Sequence, residues 1–66
     1  MGYYWDDVNE IADALVIAHP DLDPTELSFP KLHALITELP DFEDDPDKSD
    51  EGKLEAIQMA WYDRIG

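Results

Sequence analysis

Seven carboxylates crowd the stretch Pro40–Glu51: Asp41, Glu43, Asp44, Asp45, Asp47, Asp50 and Glu51. Lys48 is the only cation among them. Oxygen donors at this density suit hard cations, including iron in either common oxidation state. They equally suit the ammonium and guanidinium groups of a basic protein. Residue chemistry alone leaves both open. A tight calcium loop is excluded by spacing, because it requires Gly at position six and Glu at position twelve. Counted from Asp41, those positions hold Pro46 and Gly52; from Asp45, Asp50 and Ala56; from Asp47, Gly52 and Gln58. A second set of acids, Asp6, Glu10 and Asp13, recurs at helical spacing, with Asp7 beside it. Ion binding by such acids is expected to be weak, because no cage is built in advance.

Other chemistries lack their residues. With no cysteine, the chain has no disulfide, thiolate metal site, cluster ligand or thiol nucleophile. Ser28 and Ser49 are the only serines, and each precedes a helical segment. His19 and His33 are too far apart to share a helical metal face, and two histidines without a third strong ligand do not make a zinc site. General acid catalysis needs a carboxyl isolated in apolar surroundings, whereas these acids crowd together in polar ones. The three glycines are scattered, so there is no phosphate loop. No catalytic residue is assigned, and a non-enzymatic role is expected.

Seventeen acids against four bases give a formal net charge of −13. All four bases (Lys31, Lys48, Lys53 and Arg64) follow residue 30. This field repels nucleic acid and anionic lipid and speeds encounter with basic partners. No apolar run is long enough to span a membrane. The opening MGYYWDD lacks the basic and apolar regions of a secretory signal, and Asp6 stands where an N-myristoylation site wants Ser or Thr. Cytoplasmic residence and a monomer are expected.

The elements that must position these acids follow from periodicity. The spacing predicts a first helix over Asp6 to Ala18, capped by Asp6, with Val8, Ile11, Ala12, Leu15 and Ala18 inward and Asp6, Glu10 and Asp13 outward. Pro20 ends it, and His19 is expected to cap or pack. His19–Pro24 is turn-rich. Thr25-Glu26 suits a single helical turn, and Leu27-Ser28-Phe29 a short extended piece. A second helix is predicted from Pro30 to Leu39 with Leu32, Leu35, Ile36 and Leu39 inward. The acidic connector follows, pinned by Phe42. Ser49 is predicted to cap a third helix, Asp50 to Arg64, burying Leu54, Ile57, Trp61 and Ile65. Met59 and Tyr62 fall off that stripe beside Glu55 and Asp63, where they are candidate partner anchors. The expected core closes over Trp5, Leu15, Phe29, Leu35, Phe42, Ile57 and Trp61. At 66 residues the chain makes one domain, residues 1–66, of marginal stability.

These pieces combine into a pattern: Trp5-Asp6, Pro20-Asp21-Leu22-Asp23-Pro24, Leu32-His33, Asp41-Phe42-Glu43-Asp44-Asp45-Pro46, Ser49-Asp50-Glu51, Leu54-Glu55-Ala56-Ile57, Trp61 and Asp63. In order and spacing it resembles the IscX (YfhJ) family over nearly the whole chain. The resemblance implies a mainly α, three-helix modified winged-helix domain with a short extended segment, acting as an accessory of iron–sulfur cluster assembly. It implies electrostatic docking on the cysteine desulfurase IscS, in the region used by bacterial frataxin, and modulation of that enzyme. It also implies weak iron (Fe2+/Fe3+) binding by surface acids. Carried over by position, the candidate metal ligands are Asp6, Glu10, Asp13, Asp41, Glu43, Asp44, Asp45 and Asp47. The candidate docking residues are Asp6, Asp7, Glu10, Asp44, Asp45, Asp47, Glu51, Glu55, Met59 and Tyr62. Leu54 and Trp61 map to the core. The chain departs from the family pattern at His19, where tyrosine is common, at Pro30, often a small hydroxyl residue, and at Leu35, often tryptophan. Without the resemblance, the residues support a generic acidic module for a basic partner or a divalent metal. A winged-helix DNA binder is disfavoured, because the second helix offers only Lys31 to phosphate.

Overall fold

Apolar residues at helical spacing, punctuated by five prolines, produce a helical fold. The computed structural model describes residues 2–65; Met1, with the start of the acylation-like opening, and Gly66 lie outside them. Three helices form: α1 (Val8–Ala18), α2 (Phe29–Thr37) and α3 (Glu51–Ile65). Single 3-10 turns, Pro24–Glu26 and Pro46–Lys48, interrupt the two connectors. The mainly α, three-helix architecture expected from the sequence is the one observed.

Helix ends differ from expectation for local reasons. The Asp6 carboxylate does not cap α1; it pairs with Lys53 instead. Asp7 occupies the cap position, but its carboxylate turns back to accept from the Tyr4 amide at 3.0 Å. The helix therefore begins two residues later than predicted. Ser28 caps α2, its hydroxyl oxygen accepting from the Lys31 amide at 3.4 Å, so Pro30 sits one residue inside the helix. That helix stops at Thr37, whose hydroxyl donates to the Ala34 carbonyl at 3.1 Å, ahead of Pro40. Asp50, not Ser49, caps α3: its carboxylate accepts from the Lys53 amide at 2.8 Å.

The core is one cluster of Trp5, Ile11, Ala12, Leu15, Leu32, Ile36, Leu39, Leu54, Ile57 and Trp61. Helix α1 packs chiefly against α3. Phe29, Leu35 and Phe42, expected at the centre, are half-buried and close the cluster from outside. Ala18 and Ile65, expected inside, are exposed because each stands at a helix end beyond the partner helix. The Trp61 indole N–H is buried with no hydrogen-bond partner among the described residues, and its ring tilts against His19 with centroids 6.5 Å apart.

Extended pairing among the described residues is limited to one parallel bridge, Tyr3 to Phe42. Tyr3 donates to the Asp41 carbonyl at 2.7 Å, and Glu43 donates to the Tyr3 carbonyl at 2.9 Å. Leu27 and Ser28 have extended backbone angles but pair with nothing before α2 starts. The extended element therefore joins the N-terminal segment to the acidic connector, rather than lying at Leu27–Phe29.

Candidate functional site

The acidic connector is fastened to the body through Trp5. The Trp5 backbone amide donates to one Asp44 oxygen at 3.0 Å, and its indole N–H donates to the Asp45 carbonyl at 2.7 Å. Asp44 also accepts from the Asp45 amide at 2.7 Å, and Asp45 caps the following turn by accepting from the Asp47 amide at 2.9 Å. The Trp5 ring, 1% exposed, meets Phe42 edge-on with centroids 4.9 Å apart. On its other side His33 stacks at 5.5 Å and donates from Nε2 to the Pro46 carbonyl at 2.6 Å. His33, to which sequence assigned no role, is thus a second fastener. No spacing rule links residues 33 and 46; only its place in the Leu32-His33 piece of the family pattern marked it.

These bonds set the local electrostatics. The Trp5 amide, then the Asp45 amide, hold the Asp44 carboxyl below its ordinary value, and the charges of Lys48 and Lys53 add to this. The Thr25 hydroxyl and then its amide do the same for Asp23. Lys53 is raised above its ordinary value, first by its hydrogen bond to Asp6, then by the charges of Asp6, Asp50 and Asp44.

The candidate acids fall into separate neighbourhoods. Asp6 and Asp44 gather with Asp50 around Lys53. Glu10, Asp13 and Asp41 line one open depression together with Gly2, Tyr3 and Asp7. Within it Asp13 is paired to Arg64, which also donates to the Asn9 carbonyl and the Ala60 carbonyl. Glu43 lies over Gly2, close enough that any side chain there would displace its carboxylate. Asp45 and Asp47 sit on the turn after Asp44. Among the described residues, no three His, Asp or Glu side chains converge as a preformed metal site would.

Two of the four cations are therefore taken up within the fold: Arg64–Asp13 joins α3 to α1, and Lys53–Asp6 joins α3 to the segment just ahead of α1. Sequence reasoning missed both pairs, since the partners stand 47 and 51 residues apart. Seventeen acids cannot be balanced by four bases, so the exterior stays strongly anionic. On α3, Glu51 and Glu55 are exposed, Met59 is 57% exposed and Tyr62 46%. Among the described residues no helix is long and apolar enough to cross a membrane.

Fold and surface together define a small, cysteine-free helical protein with an acidic exterior. The chain belongs to the iron–sulphur cluster assembly family, whose model matches residues 3–66. It is also similar to a protein of Pseudomonas aeruginosa described as uncharacterized, with 46% identity over 63 residues, 96% of each chain.

Proposed function

We propose that the chain is a non-enzymatic accessory of iron–sulfur cluster assembly that docks electrostatically on the cysteine desulfurase IscS and modulates it. The observation that carries this reading is the unneutralised surface. After Lys53 and Arg64 pair with Asp6 and Asp13, the exposed acids Glu10, Asp45, Asp47, Glu51 and Glu55 remain outward and form no ion pair among the described residues. Family membership supplies the setting, and a positive patch on the enzyme supplies the complement. Competition with bacterial frataxin for that patch follows if both proteins present acids to it.

Docking of this kind weakens with salt, because exposed charges are screened beyond roughly 8 Å near physiological ionic strength. Titration of the desulfurase at rising salt is expected to show a steep loss of affinity. An unchanged affinity would reject the electrostatic mechanism.

Iron is proposed as loosely held cargo, mostly hydrated, at the depression where Glu10 and Asp41 meet Asp7. Among the described residues Glu10 and Asp41 form no ion pair and Asp7 accepts only from the Tyr4 amide, whereas the carboxylates of Asp44 and Asp45 hold the connector together. Substituting Glu10→Gln with Asp41→Asn is expected to weaken Fe2+ binding without unfolding the domain, the melting temperature holding or rising as two negative charges are removed. Calorimetric titration showing unaltered iron affinity in this variant would remove the depression as the site. Loss of iron with desulfurase docking intact would separate carriage from modulation.

A further inference from the structure

Away from the acid neighbourhoods, α3 carries a face with no partner. Its cations Lys53 and Arg64 turn away to Asp6, just ahead of α1, and to Asp13 on α1, and Gln58 reaches the Pro24 carbonyl at 2.7 Å. Glu51, Glu55, Met59 and Tyr62 follow one another at i, i+4, i+8 and i+11, which puts all four on one stripe. All four are exposed. The two glutamates form no ion pair among the described residues. The stripe is therefore acidic at its N-terminal end and apolar at its C-terminal end, and the apolar pair is a thioether beside a phenol ring. Such side chains adapt to and dominate protein contacts.

We propose that this stripe receives one basic amphipathic helix of a partner protein. Apolar side chains of that helix pack on Met59 and Tyr62, while Lys or Arg further along it pair with Glu51 and Glu55. Charge selects the occupant. A second copy would bring −13 against −13, and nucleic acid or anionic lipid is repelled in the same way. A wholly apolar segment would strip water from both glutamates without replacing it. A rise of about 1.5 Å per residue sets Glu55 and Tyr62 roughly 10 Å apart along the axis. The occupant's cation and apolar anchors must match that separation.

The surface rests on the reading of the chain as a docking module, but it adds an apolar anchor distinct from the acids of α1 and the connector. The probe is a synthetic Leu/Ala/Lys helix of about 18 residues, with Leu at one end of its face and Lys at the other, titrated into the isotope-labelled chain. Amide shifts are expected to concentrate in residues 51–62. The double substitution Met59→Ala with Tyr62→Ala is expected to weaken binding about tenfold, at unchanged melting temperature because both side chains are on the surface. Met59→Lys is expected to weaken it comparably, because it sets a hydrated charge against the leucine end of the probe and offers Glu55, one turn back, a cation of its own. Three outcomes would each overturn the proposal: shifts confined to residues 6–13 and 41–47, less than about a twofold change in these variants, or no binding to the unmodified chain. Salt-dependent desulfurase docking, measured in parallel, survives any of them, so failure of this surface is distinguishable from failure of the docking reading.

Discussion

Asp44 places two amide donors, from Trp5 and Asp45, on one carboxylate, and its charge strengthens one of several bonds that attach the connector. Its folded value lies below the ordinary 3.8. Its contribution to stability is therefore fully present above that ordinary value and lost as pH falls through the folded one. Acid titration is expected to shift and broaden the Trp5 indole N–H resonance below about pH 4. Asp44→Asn is expected to weaken this attachment at neutral pH and to flatten the acid response. An unaltered acid profile in that variant would place the acid-sensitive contact elsewhere. Lys53 works in the opposite sense: its pairing with Asp6 is present below 10.5 and lost as pH rises through its higher folded value.

At the scale of elements, the stripes Ile11, Ala12, Leu15 and Leu32, Ile36 were legible because a helix repeats every 3.6 residues and burial follows that repeat. Caps were less legible, since neighbouring residues competed for each role. Ser49 and Asp50 both carry a capping oxygen, and only the backbone path after the Pro46–Lys48 turn selects Asp50. Asp50→Ala is expected to cost about 1 kcal/mol, and Ser49→Ala close to nothing, in urea unfolding. Equal losses would mean that both side chains hold the helix start. Asp6 illustrates the same limit: it was expected to cap the first helix, but a distant lysine claimed its carboxylate, and no side chain caps that helix start among the described residues. The Tyr3–Phe42 bridge left no mark in the sequence, because a single paired residue on each side is too short for alternation to register.

For the whole molecule, composition alone fixed the sign and size of the surface field, and pairing of Lys53 and Arg64 changes it little. The eight candidate metal acids were readable as a list but not as a site, since their grouping around Lys53 and around the Glu10–Asp41 depression depends on the tertiary path. Self-repulsion of the remaining carboxylates strains the compact state. Added salt or a divalent cation is expected to raise the melting temperature. A flat or falling response would show that the repulsion is relieved within the fold.

The first helix leans on the last, and both ion pairs tie the last helix to the first thirteen residues across most of the chain. Residues 8–18 thus lack most of their apolar wall until residues 51–65 exist. During synthesis the core cannot close until residues 51–65 have cleared the exit tunnel, and a fragment cut short before them would offer proteases a loosely held chain.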